Sequence, residues 1–529
     1  MPPNITGVAP AELAQALELF LAEHPRAALL EDGRVLFDMQ RAHYSLSAEH
    51  GRCVLHLWSD ERNLVRTIVE ISPRNGMLRL SATRFGQPRP QTLQLVADRD
   101  QRTPSTRTAS RRNYLRLLER VLARAFPECK VDGMRTAMDL EHSFGPAYAR
   151  GFLLRGTSAS AIIGVNVGEA QATIDGVLTL GILWLHHSRT HGDSRRHFQS
   201  LKVIVPAGTA ELTRSRIAAL NSTLAQWQLY ELDEQSETLT PVEVHDGNLE
   251  MHMTQAFRPD AALERCSASI ARLLELLPPG LRQRIQVLPK NPTEVAFRLH
   301  GLEFARAHQG FSANSFTRQE QLTFGAGANE TPLDESSEAL FTDLVSRLAS
   351  SRQPHGHMSD PLYRLQPERW MESALRSSLA EILPGIQQQF VYTQVPAFAA
   401  GDRGMLDLLS VDRNGRLVVI ELKADEDLHL PLQGLDYWLR VRWLNRQGRD
   451  REGYGDFERN GYFQATPPRP VLSSASPLLC FIAPALRIHP ANEVVLQYLA
   501  PEVQWTLIAL GEQWREHRTV VFRKHSPEQ

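Results

Sequence analysis

The stretch MLDLLSVDRNGRLVVIELKA, residues 405–424, decides how this chain is read, because it sets two strand-like runs on either side of a turn. Asp412, Asn414 and Gly415 supply the hairpin turn between MLDLLSV and RLVVIELKA. The run LVVI is continuously apolar, as in strands covered on both faces, so the charged residues after it stand at the edge of a core. Strand side chains alternate between faces, and Glu421 and Lys423, two apart, therefore share one. The hairpin brings Asp407 to the same place. Two carboxylates beside an ammonium form an oxygen-lined site for Mg²⁺ or Mn²⁺, with the ammonium free to orient a water or neutralise charge on a phosphate. The plain alternative is a solvated strand end, where Glu and Lys two apart are common. Composition weighs against it: lysine occurs only at Lys130, Lys202, Lys290, Lys423 and Lys524, and the other 53 basic residues are arginine. A compact point charge is used here where the planar arginine head is the chain's default.

Working outward, PERWMESALRSSLAEIL upstream predicts a helix that opens on Pro367, and FVYTQVPAF a further strand. Downstream come a helix (LPLQGLDYWLRVRWL), a strand (LLCFIAP), a short helix (ANEVVLQYL) and a strand (VQWTLIAL), giving the order αβββαβαβ. In this order, with an acid on the second strand and ExK on the third, residues 360–515 resemble the PD-(D/E)xK nuclease superfamily. Gln433 and Tyr437 on the following helix have the QxxxY spacing of its RecB-like branch. The resemblance implies a restriction-endonuclease-like αβββαβ core. It implies that Asp407, Glu421 and the Leu422 carbonyl bind the metal, that Lys423 assists the attacking water, and that Gln433 and Tyr437 hold substrate phosphate or water. A further acid often comes from the first helix, where Glu372 is preferred over Glu368 because it lies beside the Leu375 and Leu379 face. Buried polar tips for Gln433 and Tyr437, and helix-dipole complementation for Glu368, are the structural alternatives. The superfamily's leading proline is missing, since Met405 and Leu406 precede Asp407.

Arg403, Arg440 and Arg442, followed by Arg446, Arg449 and Arg451, are candidate phosphate contacts, although Asp450, Glu452 and Asp456 dilute the run into what could equally be a solvated face. His429 follows the ExK strand closely enough to face the site.

The whole chain bounds these readings. At 529 residues it has room for three or four units of about 150 residues. The formal charge of −2 argues against a passive nucleic-acid coat but leaves a local basic groove open. Cys53, Cys129, Cys266 and Cys480 lie far apart without a CxxC pair, which fits a reduced bacterial cytoplasm and excludes a cluster-binding set. No apolar run is long enough for a membrane span, and the N-terminus lacks a secretory pattern. His186, His187, His191 and His197 have no acids at a fixed spacing and read as an exposed helix end.

The expected fold class is α/β and multidomain: a β-rich segment (1–100), a linker at 98–112, an α/β segment (113–240), a mixed region (241–355) and the candidate nuclease segment (360–529). Residues 140–232 repeat the C-terminal order of elements, with Gly164 and Asn166 where the later copy has Glu421 and Lys423. That is a degenerate, inactive duplicate, or the alternation any two α/β units share. The function expected is metal-dependent hydrolysis of DNA, RNA being left open, with N-terminal segments that select substrate or partner. A non-catalytic nucleic-acid-binding scaffold in a defence or repair complex is the rival. A homodimer or a protein partner is compatible with both.

Overall fold

In a computed structural model the chain is a multidomain α/β protein with four β-sheets among the described residues. The structure describes residues 9–527 except 32–33, 41, 49–50, 60–62, 75–76, 84–89, 98–103, 140–142, 193–194, 245–250, 254–256, 313–314, 327–330, 400–401, 447–454 and 465–467. The strand Met251–His252, from the segment expected as a mixed region, pairs with Tyr392–Ala399 of the last segment, and the segments gather in alternation. Residues 1–101 and 255–377 make one compact unit, and 102–254 and 378–529 make the other.

The first unit holds two antiparallel sheets. In the N-terminal one, seven strands form a single sheet whose core takes Leu13, Leu17, Phe20 and Leu21 from the helix Pro10–Glu23, spaced to share one helical face. In the other, Glu294–Leu299 and Leu302–Ser312 are joined by His300 and Gly301, both with positive φ (45° and 78°), as a two-residue hairpin loop requires. A Cβ at Gly301 would strike the backbone of Arg369. Beneath this turn Arg352, fully buried, donates to the carbonyls of Leu299, His300, Leu362 and Leu365 and lies 4.5 Å over the Trp370 ring.

His300 Nε2 is 2.9 Å from Arg284 Nη2, so this nitrogen accepts and the ring is neutral. Burial, then the charges of Arg284 and Arg352, pull its pKa from the ordinary 6.5 down to about 4. Between those values the unfolded chain binds a proton that the folded chain refuses, so stability is full above pH 6.5 and falls as pH drops toward 4. His300→Asn, which tolerates the positive φ, is expected to flatten the pH dependence of the melting temperature across that window. An unchanged slope would show that the pH dependence lies elsewhere.

The second unit contains the same topology twice. Its first half runs through the helix Pro104–Ala125, antiparallel strands Lys130–Arg135, Tyr148–Arg155 and Ser158–Val165, the long helix Val177–His191, strand His197–Pro206, helix Ala210–Ala218, and strands Gln226–Asp233 and Thr238–Val242. Its second half runs through Leu379–Ile382, strands Tyr392–Ala399, Asp402–Val411 and Leu417–Leu422, the long helix Leu430–Arg446, strand Leu478–Pro484, helix Pro490–Gln497, and strands Trp505–Leu510 and Val520–His525. In both, pairing is antiparallel twice, parallel twice, then antiparallel. The 98–112 stretch expected as linker is helical from Pro104, its residues 98–103 lying outside the description. The helix expected over 367–383 instead stops at Arg376, one residue before the first unit ends, and Leu379–Ile382 begins afresh in the second.

The halves meet about a local twofold axis. The Ala500 amide donates to the Ala219 carbonyl at 2.8 Å and the Asn221 amide to the Tyr498 carbonyl at 2.9 Å, with Leu220 opposite Leu499. Each long helix packs on the short helix of the other half, the reciprocal pattern of an isologous interface. Arg216 Nε and Nη2 bind the carboxylate of Asp436 at 2.9 and 2.8 Å. Among the described residues no helix is long and apolar enough to cross a membrane.

Candidate active site and its counterpart in the first half

Asp407 and Glu421 are cross-strand neighbours. The register Leu408↔Ile420 and Leu409↔Val419, continued by one pair, sets them opposite each other, so their side chains leave the sheet on one face. The turn behaves as read: the Asp412 carboxylate accepts from the amides of Asn414 and Arg416, and Gly415 has φ 78°. Glu421 is buried, Asp407 and Lys423 less so. The Leu422 amide donates to Asp407 Oδ2 at 3.0 Å. Within a strand the N–H and C=O of one residue leave by the same edge, so the Leu422 carbonyl points toward Asp407 as well. Lys423 Nζ is 4.0 Å from Glu421 Oε1 and 3.6 Å from Asp427 Oδ2.

The long helix brings the remaining groups. Gly434 packs on Phe481 where a Cβ would collide with the ring, so the helix that carries Gln433 and Tyr437 lies close on the sheet. Burial pushes the Tyr437 hydroxyl far above the ordinary tyrosine range. The carboxylates of Glu421 and Asp407 push it further, against the pull of Arg440. Gln433 Oε1 is buried and has no hydrogen-bond partner among the described residues.

Other candidates sit differently. Glu372 belongs to the first unit, where Arg298 and Arg369 pair with it at 3.5 and 2.8 Å; Glu368 is in the first turn of the same helix. Arg440 is 5 % exposed, donates to the Ala397 carbonyl and lies 5.5 Å over the Tyr437 ring, so it frames the site from within the protein. Arg442 is paired with Glu502 at 3.0 Å. The side chain of Arg403, and Arg449 and Arg451 entirely, lie outside the described residues. His429 faces the other half, its Nδ1 3.0 Å from Thr179 Oγ1. His187 and His191 stack on each other, while His186 lies 3.4 Å from the Tyr498 hydroxyl. All four cysteines are free thiols, and burial pushes Cys480 up to about 12. Two contributors escaped the sequence reading. Asp427, four residues after Lys423, carries the only local signal; Gly404 carries none, yet a Cβ there would run into the Arg440 guanidinium.

That clash makes Gly404→Ala informative. If the site is catalytic, driving Arg440 off Tyr437 is expected to slow its reaction about ten- to a hundredfold, a usual consequence of a small misplacement in a site. Gly511→Ala, whose new Cβ meets nothing nearer than 3.9 Å, is the control. Equal rates for the two variants would remove Arg440 from the site.

In the first half the corresponding positions are read from register. Pro206 lies opposite Leu232 as Pro484 lies opposite Leu510, and Gly164 beside Ile204 as Leu422 beside Ile482. Ile163 therefore takes the place of Glu421, Val165 that of Lys423, and Arg150, the partner of Ile163, that of Asp407. Gly181 packs on Leu201 as Gly434 packs on Leu479, which sets Trp184 where the second half has Tyr437. The pairing of Gly164 and Asn166 with Glu421 and Lys423 was one residue off, and the pleat shows why: Gly164 faces Tyr114 and Leu118, on the other side of the sheet from the long helix. The matching space is filled. Arg150, 1 % exposed, lies 4.6 Å over Phe144 and 5.7 Å over Trp184 and donates to the Ala137 carbonyl.

Among the described residues no group of three or more His, Cys, Asp or Glu side chains is gathered for a cation. The donor set of the second half is instead two carboxylates and a main-chain carbonyl, hard oxygens of the kind Mg²⁺ and Mn²⁺ prefer. No protein-family model matches the chain, and no curated protein matches it.

Proposed function

We propose that this chain is a Mg²⁺- or Mn²⁺-dependent nuclease acting on DNA in the cytoplasm, with a restriction-endonuclease-like core of the PD-(D/E)xK kind in the second half of its second unit. The observation that carries the reading is the juxtaposition of Asp407, Glu421 and Lys423 at the end of a buried hairpin. The order of the longer elements from Tyr392 to Leu510, three strands, a helix, a strand, a helix and a strand, supports it.

Asp407, Glu421 and the Leu422 carbonyl would hold the cation. When bound, it supplies Lewis-acid charge to the phosphoryl oxygens and the attacking water. The Leu422 amide fixes the Asp407 carboxylate, and burial of Glu421 strengthens its field at the same point. Lys423 orients the water and offsets the charge that grows on the phosphate. The water oxygen forms the new bond to phosphorus, one sugar oxygen leaves, and the water's proton ends on that oxygen. Gln433 and Tyr437 offer an amide and a hydroxyl that donate to a phosphate oxygen. The first unit would select the substrate or a partner.

The test is cleavage of labelled single-stranded, double-stranded and branched DNA by the full chain with Mg²⁺, Mn²⁺ or EDTA. Cutting that EDTA abolishes supports the nuclease. Metal-independent binding without cutting would replace it by the scaffold.

A further inference from the structure

The internal twofold axis raises a question that the second half alone does not: what the first half contributes to a duplex. The strands of a duplex are antiparallel and related by twofold axes, and two identical centres about a protein twofold can each meet one strand. This chain has the frame for that arrangement. The two long helices are related by it, and Gly176 and His429, which hold matching places at their starts, lie against each other. The centres themselves are not alike. Where one has Asp407, Glu421 and Lys423, the other has Arg150, Ile163 and Val165. A guanidinium in a carboxylate's place repels a divalent cation instead of binding it, an isoleucine offers no oxygen, and Trp184 and Phe144 fill the remaining volume around Arg150.

We infer that each chain carries one cation-binding centre and one filled centre, and that on duplex DNA it cuts a single strand per encounter, leaving a nick. The inference rests on the nuclease reading for its chemistry and on the sheet registers for its stoichiometry. Cutting the second strand requires release and rebinding in the opposite orientation.

Two measurements on the full chain decide it. With chain in excess over supercoiled plasmid and Mn²⁺ present, open circles should accumulate first, and linear DNA should follow at least about tenfold more slowly, because it needs a second productive encounter. Linear DNA that appears as fast as supercoiled DNA disappears would overturn the inference, whether a hidden second centre or pairing of two chains produced it. Mn²⁺ titration followed by electron paramagnetic resonance should give one site per chain, lost in Glu421→Gln and kept in Arg150→Gln. Two sites would also overturn it. A chain that binds one Mn²⁺ but cuts no DNA removes the nuclease reading and keeps the single centre. A chain that cuts both strands together keeps the nuclease reading and removes the single-strand inference, and a chain that binds no Mn²⁺ removes both.

Discussion

Replacing Lys423 by alanine is expected to slow metal-dependent cleavage about a thousandfold or more, the scale seen when one group that stabilises transition-state charge is removed. A thousandfold is about 4 kcal/mol of barrier, and it should fall on kcat, because the ammonium acts on charge that appears only as phosphorus is attacked. Mn²⁺ binding should survive, since the carboxylates and the Leu422 carbonyl remain. Lys423→Arg should not restore the rate: the ammonium stands 4.0 Å from Glu421 and 3.6 Å from Asp427, a gap that suits a compact head better than a planar fork. Glu421→Gln, by contrast, should lose cation binding and cleavage together. Steady-state kinetics with Mn²⁺ titration separates these outcomes, and a Lys423→Ala enzyme within tenfold of wild type would end the proposed role.

The largest stability effect is expected in the first unit, at Arg352. Its guanidinium satisfies four carbonyls at 2.6 to 3.2 Å with the side chain fully buried. Arg352→Ala leaves those acceptors without donors, opens a cavity against Trp370 and frees the turn at His300 and Gly301. A loss of about 4 kcal/mol follows from breaking a buried charged network of this kind. Denaturant unfolding, with Arg347→Ala as the exposed control, measures it. A loss below about 1 kcal/mol would mean that water replaces the guanidinium at those carbonyls.

The contrast between these two sites shows what the sequence made legible. Asp407, Glu421 and Lys423 could be placed together because every step was local: a two-residue period, a turn named by Asp412, Asn414 and Gly415, and an apolar run before the acid. Gln433 and Tyr437 were candidates only through the resemblance, which their QxxxY spacing carries. Long-range choices were not readable. Glu372 lies on a helix that the chain assigns to the first unit, where two arginines hold it. Arg440 read as a surface charge because nothing near it announces that Gly404, on another strand, leaves space for a guanidinium. The repeat could be seen by eye in its element order, but its register rests on which strand neighbours stand opposite Ile163 and Glu421. The buried Arg352 gave no signal, because its partners are main-chain carbonyls from two separate stretches.

The alternation of segments between the two units has a consequence for how the protein is made. Residues 255–377 separate the two halves of the second unit. At about 5–20 residues per second that is roughly 6–25 s of synthesis in which the first half waits without its mate. The surfaces bare in that interval are those around Arg216, Leu220 and the Val177–His191 helix, an exposure that invites chaperones or a neighbouring nascent chain. The half bearing Asp407, Glu421 and Lys423 is made after the half bearing Arg150. A chain that stalls on the ribosome before residue 378 therefore carries only the filled centre.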